Sequence, residues 1–169
     1  PWGIILFSRN IKNIFQLKKL TDDIKKIFND KKYPILIDQE GGRINRLSKF
    51  VNTSKFTGEF FGNLYKNNFK KFVTYYKIYI IQTCYLMHIL GVNINTVPVL
   101  DVRHKKSHNI IGDRAFNTNP KIVSKIGDFC IKEFHKNNIG TVIKHIPGHG
   151  LAKVDSHEAT PLVKDKLRK

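Results

Sequence analysis

The chain has 169 residues, with thirty Lys plus Arg against thirteen Asp plus Glu, for a formal charge of +17. At 41% apolar and 11% aromatic it carries enough material for the core of about one domain, which excludes a disordered basic tail. Two cysteines, Cys84 and Cys130, exclude a disulfide framework, match no Cys/His zinc spacing, and fit a reducing compartment.

Apolar runs bounded by turn residues alternate with helical periodicity. Residues 3–7 are short, apolar and partly β-branched, and read as a buried strand. Residues 11–29 follow as a helix, with Ile14, Leu17, Leu20, Ile24 and Ile27 at helical spacing. Residues 33–38 form a second strand, with Pro34 tolerated at its start. A longer helical region, broken once, spans 57–90. Its most apolar window, 73–90, contains Lys77, Gln82 and His88. A Lys at mid-membrane costs about 2.5–3.5 kcal/mol, so the window reads as a helix packed on a core, with no membrane partner. Residues 92–99 are a third strand. Residues 120–138 are a helix with Asn119 as cap and Pro120 at its first position, and 141–145 are a fourth strand.

The charge is spread along this pattern. Lys18, Lys19, Lys25, Lys26, Lys31 and Lys32 fall on what read as wet helix faces. That dispersal predicts adhesion to polyanions at low salt and no specific nucleic-acid partner.

The strands are expected to be apolar on both faces, as parallel strands covered by helices must be, so the class is α/β. Each ends in a polar cluster: Ser8-Arg9-Asn10, Asp38-Gln39-Glu40, Asp101-Val102-Arg103 and Lys144-His145. A doubly wound sheet needs such groups only where its strand order reverses, whereas a (β/α)₈ barrel gathers them from every strand at one rim. A whole barrel takes about 250 residues. The expectation is therefore about four βα units, the first half of a TIM barrel, in a chain that is a fragment. Its edge strands would make it prone to aggregate.

Three constellations carry chemistry. In Asp38-Gln-Glu-Gly-Gly-Arg43-Ile-Asn-Arg46 a carboxylate leaves a strand, two glycines allow a sharp turn, and two arginines follow. Asp38 can accept from vicinal sugar hydroxyls while Arg46 donates, or the two can simply pin a loop as an ion pair. In Ile111-Gly-Asp-Arg-Ala-Phe116, Arg114 can reach the same rim or serve as a structural arginine. Asp101 reads as the partner of a neighbouring base. The third stretch holds Lys144, His145, His149, Asp155 and His157 within fourteen residues, with glycines at 148 and 150. Asp155 and His157 are two apart, so in extended chain they point the same way, and the carboxylate can fix the imidazole for proton transfer. By residue type alone this stretch supports a metal site built from His145, His149, Asp155 and His157, a structural polar loop, or an acid/base carried on a closing loop.

Taken together, Gly3-Ile-Ile-Leu-Phe-Ser-Arg-Asn10, the 38–46 stretch, Pro98-Val-Leu-Asp-Val102, the 111–116 stretch, and Lys144-His-Ile-Pro-Gly-His-Gly150 followed by Asp155-Ser-His157 resemble the NagZ-type β-N-acetylglucosaminidases of glycoside hydrolase family 3. The resemblance runs nearly end to end, so residues 1–169 look like part of the family's N-terminal catalytic domain. One departure is Ile146, where the family usually has Phe.

The resemblance implies a cytoplasmic (β/α)₈ exo-glycosidase of peptidoglycan recycling with no cofactor. Its implied substrates are muropeptides in which N-acetylglucosamine is joined to an anhydro-muramic acid. Asp38, Arg46, Arg114, Lys144 and His145 would grip the N-acetylglucosamine. His157 would be the general acid/base and Asp155 its dyad partner, in a retaining mechanism. The family's carboxylate nucleophile lies on a later strand, so the 169-residue chain is expected to be inactive alone. A catalytically silent sugar-binding relative and a metal-dependent hydrolase are the alternatives.

Overall fold

The computed structural model describes residues 1–104, 109–146, 148–150 and 160. Strand β1 (Ile4–Leu6) opens the chain and runs into a 3₁₀ turn at Ser8–Asn10, closed by the Asn10 side chain accepting the Phe7 N–H at 2.9 Å. That turn delays the first helix beyond residue 11. The helix begins after Asn13, whose side chain accepts the Gln16 N–H at 2.9 Å, and α1 covers Ile14–Ile27. It buries Leu17, Thr21 and Ile24 and turns Lys18–Asp22 and Lys19–Asp23 pairs to solvent.

Strand β2 (Ile35–Ile37) is followed at once by an unforeseen hairpin, β3 (Gln39–Gly41) and β4 (Ile44–Asn45). Gly41 and Gly42 both have positive φ there, and a Cβ on Gly41 would stand 2.2 Å from the Phe56 carbonyl oxygen. The long helical region is broken once, as its pattern implies, into α2 (Gly58–Asn67) and α3 (Phe69–Ile89). Asn68 makes the break. Its N–H ends α2 on the Leu64 carbonyl at 2.8 Å, and its side chain caps α3 by accepting the Lys71 N–H at 3.0 Å. In α3, Phe72, Tyr76, Ile80, Thr83, Cys84 and Met87 form the buried stripe. Among the described residues no helix is long and apolar enough to cross a membrane.

Strand β5 (Ile94–Asn95), helix α4 (Pro120–Lys136) and strand β6 (Gly140–Thr141) complete the described elements. Asn119 accepts the Lys121 N–H at 2.9 Å, and Pro120 starts α4 as expected. The strands are shorter than their apolar runs, because backbone pairing ends while the apolar side chains continue. Ile5 also departs from the expectation of two covered faces: it is exposed on β1.

The sheet order is β1-β2-β5-β6, and every neighbouring pair is parallel. The order never reverses, which removes the doubly wound alternative. Right-handed crossovers along such a sheet keep the helices on one side, the winding of a (β/α)₈ barrel, of which the described residues supply four strands. The core lies between sheet and helices, around Leu17, Ile35, Ile37, Phe61, Phe72 and Ile80. Each such side chain contributes about 1.5–3 kcal/mol on burial.

Candidate active site

Polar residues after three of the four parallel strands meet at one end of the sheet, while Ser8–Asn10 after β1 form a local 3₁₀ turn. Asp38 follows β2, Glu40 sits two residues on in β3, and Arg46 follows β4. Thr96 follows β5 directly, with Asp101 beyond it. Arg114 ends a 3₁₀ turn, Gly112–Arg114. Lys144 and His145 follow β6, held at its level by a parallel bridge from Lys144 to Val99. The Val97–Pro98 and Lys144–His145 peptide bonds are cis.

Both oxygens of Asp38 are engaged. Its Oδ2 accepts from Arg46 Nη2 at 3.1 Å, and its Oδ1 accepts from Lys144 Nζ at 3.1 Å and from the Thr96 hydroxyl. Burial alone would push its pKa up. The Thr96 hydroxyl, Lys144 ammonium and Arg46 guanidinium overcome that and hold the carboxyl at about 2, below the ordinary 3.8. Glu40 takes Arg114 in a fork, Nε to Oε2 at 2.8 Å and Nη2 to Oε1 at 2.9 Å, and takes Lys144 Nζ at 2.6 Å. Burial again pushes its carboxyl up, and these two cations bring it below its usual value.

Asp101 holds the far side. Its Oδ2 meets His145 Nδ1 at 2.5 Å and its Oδ1 accepts the His149 N–H at 2.5 Å. His145 Nε2 faces Arg114 Nη2 at 3.3 Å. One continuous network therefore joins Arg46, Asp38, Lys144, Glu40, Arg114, His145 and Asp101.

Two properties of this network decide what it can bind. First, Glu40 and Asp101 are buried, with 6% and 0% of their side chains exposed, while Asp38, Arg46, Lys144 and His145 keep 14–37%. The buried acids hold and the outer groups present. Second, three carboxylates match three permanent cations, so the cluster is close to neutral in a chain of +17. A neutral cluster rich in donors and acceptors suits a polyhydroxylated neutral ligand. A carboxylate offers about four lone-pair sites, so Asp38 can still accept from hydroxyls.

All five residues expected to bind substrate (Asp38, Arg46, Arg114, Lys144 and His145) come together here. The Asp38–Arg46 ion pair of the loop-pinning reading is present. Asp155 and His157 lie outside the described residues. Two of the four residues considered for a metal site, Asp155 and His157, fall there too. Among the described residues no three His, Cys, Asp or Glu side chains gather as a metal-holding group.

Sequence reasoning gave no separate role to Glu40 or Arg43, both inside the 38–46 stretch, and did not single out Thr96. A signal existed for Glu40: two residues from Asp38, it points to the same side of an extended chain. Arg43 works at one remove. Its Nη2 donates to the carbonyls of Asn109, Ile110 and Ile111 at 2.6, 2.7 and 3.2 Å, fixing the segment that leads to Arg114.

Comparison with known proteins bears on this geometry. The pattern described as the glycosyl hydrolase family 3 N terminal domain matches residues 2–169. A beta-hexosaminidase A from Pseudoalteromonas piscicida is 34% identical over 173 residues, covering 98% of this chain and 28% of that protein. A beta-hexosaminidase from Hydrogenovibrio crunogenus is 34% identical over 159 residues, covering 92% and 43%. Native NagZ from Neisseria gonorrhoeae superposes with a TM-score of 0.83 at 31% identity, over 95% of this chain and 46% of that one. The same protein in complex with N-trifluoroacetyl-D-glucosamine gives 0.83 and 31%, over 95% and 47%. The chain thus spans less than half the length of these relatives.

Proposed function

The chain belongs to glycosyl hydrolase family 3, and from that premise we propose that it supplies the sugar grip and the acid/base loop of a retaining exo-β-N-acetylglucosaminidase. The observation that carries this reading is the neutral Asp38–Lys144–Glu40–Arg114–His145 network at the carboxyl ends of the parallel strands. The N-trifluoroacetyl-D-glucosamine complex of a 31% identical NagZ supports the choice of sugar.

In this reading Asp38 accepts hydroxyl protons from the sugar while Arg46 and Lys144 donate to its oxygens. His145 and Arg114 close the other side. A carboxylate from a later strand, outside these 169 residues, attacks the anomeric carbon as the glycosidic bond breaks through an oxocarbenium-like state. The His157 imidazolium gives its proton to the departing oxygen, and Asp155 steadies the charged ring. Water then attacks the glycosyl-enzyme, His157 takes its proton, and the carboxylate leaves. This chemistry calls for no metal or cofactor. The substrates are N-acetylglucosamine-containing muropeptides from cell-wall turnover, handled in the cytoplasm, and residues 1–169 are part of the N-terminal catalytic domain.

Calorimetric titration of the 169-residue chain tests the grip. N-acetylglucosamine is expected to bind with measurable heat, and glucose at least tenfold more weakly. Equal affinity for both sugars would remove the acetamido preference and with it this reading. Hydrolysis of a chromogenic N-acetylglucosaminide by the enzyme carrying this domain separates it from a silent sugar-binding relative.

A further inference from the structure

A histidine that meets a ligand needs its ring proton on a defined nitrogen. His145 lies between two groups that leave no choice. Its Nε2 faces Arg114 Nη2 at 3.3 Å, and a guanidinium carries only donors. Nε2 must therefore present its lone pair, and the proton sits on Nδ1, which points at Asp101 Oδ2 at 2.5 Å. The other oxygen of Asp101 accepts the backbone N–H of His149 at 2.5 Å. One wholly buried carboxylate thus ties the His145 side chain and the His149 backbone amide. Beside it, a Cβ on Gly150 would stand 2.0 Å from the Val102 carbonyl oxygen, so this backbone lies directly against the segment after Asp101.

We propose that Asp101 is a positioning residue of the sugar site: it sets the His145 tautomer and pins the His149 backbone to the segment after β5. The inference rests on the sugar-binding reading above and deepens it. Through His145, Asp101 orders the lone pair that Arg114 meets, and so the face both residues present. Through the His149 amide it anchors the root of the segment that continues to Asp155 and His157.

An amide in place of the carboxylate cannot serve both partners. With its oxygen on the His149 N–H, the amide NH₂ would confront His145 Nδ1 and drive the ring proton to Nε2, against Arg114. With the amide turned over, two N–H groups would face each other at His149. The variant Asp101→Asn keeps shape and size, so it isolates this pattern.

Long-range ¹H–¹⁵N histidine spectra of the labelled chain at pH 7.5 read the tautomer, and N-acetylglucosamine titration reads the grip. The wild-type chain is expected to show His145 protonated on Nδ1 only. Asp101→Asn is expected to move the proton to Nε2 and weaken sugar binding about tenfold. In a His145→Ala background the same change should cost under about twofold, because its main route is gone. An Nε2–H or doubly protonated His145 in the wild type overturns the proposal without any variant. So does a loss of equal size in both backgrounds, which a merely structural Asp101 would produce. An Nδ1–H ring in a chain that binds no N-acetylglucosamine upholds the positioning role and removes the sugar reading instead.

Discussion

Arg114 holds Glu40 in a two-bond fork, at 2.8 and 2.9 Å, across 74 residues of chain. The pair is nearly buried, and Lys144 joins it on the same carboxylate. Replacing one member of such a group leaves charge without a partner in a poor solvent for it. Glu40→Gln is expected to destabilise the chain by about 3 kcal/mol, more than a surface ion pair would cost. It should also abolish detectable N-acetylglucosamine binding, since Arg114 and Lys144 lose their common anchor. Urea midpoints and calorimetry on the same protein measure both, and an unchanged midpoint would count against the anchor.

Arg46 is a milder case. It donates one bond to Asp38 at 3.1 Å and lies over the Phe7 ring at 5.5 Å, with a quarter of its side chain exposed. Arg46→Ala should leave the circular dichroism spectrum intact and weaken sugar binding about tenfold, some 1.4 kcal/mol. Collapse of the spectrum would instead assign Arg46 to loop pinning alone.

The depressed carboxyls give a pH dependence with a definite sign. Burial pushes Asp38, Glu40 and Asp101 up, and their hydrogen bonds and cations bring all three below ordinary values, Asp38 to about 2. A group whose value is lower folded than unfolded binds fewer protons when folded, so stability rises with pH until the unfolded group has ionised. Their contribution is whole above about pH 5, near the top of the range in which unfolded carboxyls titrate. It is lost as pH falls through 4 toward Asp38's value of about 2. Urea midpoints should be flat from pH 7 to 5 and then drop, and Asp38→Asn should reduce the drop.

Gly62 tests how α2 supports the site. A Cβ there would stand 1.6 Å from the Phe116 carbonyl oxygen, and one on Gly58 2.1 Å from the Arg114 carbonyl oxygen. Helix propensity alone favours Ala by about 1 kcal/mol. Gly62→Ala is nevertheless expected to destabilise by about 2 kcal/mol or more, because backbone cannot yield as a side-chain tip does. A raised melting temperature would show that the helix and the 114–116 segment separate freely.

His157→Ala tests the proposed acid in the active enzyme. Hydrolysis of glycosides with poor leaving groups should fall by about 10²–10⁴, and activated aryl glycosides much less. Equal loss on both would remove the proton-transfer role.

The alternation of short apolar runs with helical periodicity was enough to read the α/β class, the single break in the 57–90 region, and the Asn119–Pro120 helix start. It did not reveal the hairpin at 39–45. That stretch lacks the alternation of a half-buried strand pair, and its ladder leans on distant groups: the Asn95 amide bonds both the N–H and the carbonyl of Gln39 at 3.0 Å. Asp38, Arg46, Arg114, Lys144 and His145 were singled out together through the family resemblance, each lying in one of its matching stretches. Glu40 and Thr96 received no role of their own, since their importance lies in partners far along the chain.

The order of residues by itself determined the local structure and which side chains fall after strands, because turn chemistry and hydrophobic period act over a few positions. Only the tertiary structure decided that strand order never reverses, that three acids and three cations cancel at one rim, and that Asp101 serves both His145 and His149. Those facts depend on distances closed by folding, and the energy of a buried charge is set by the neighbours that folding supplies.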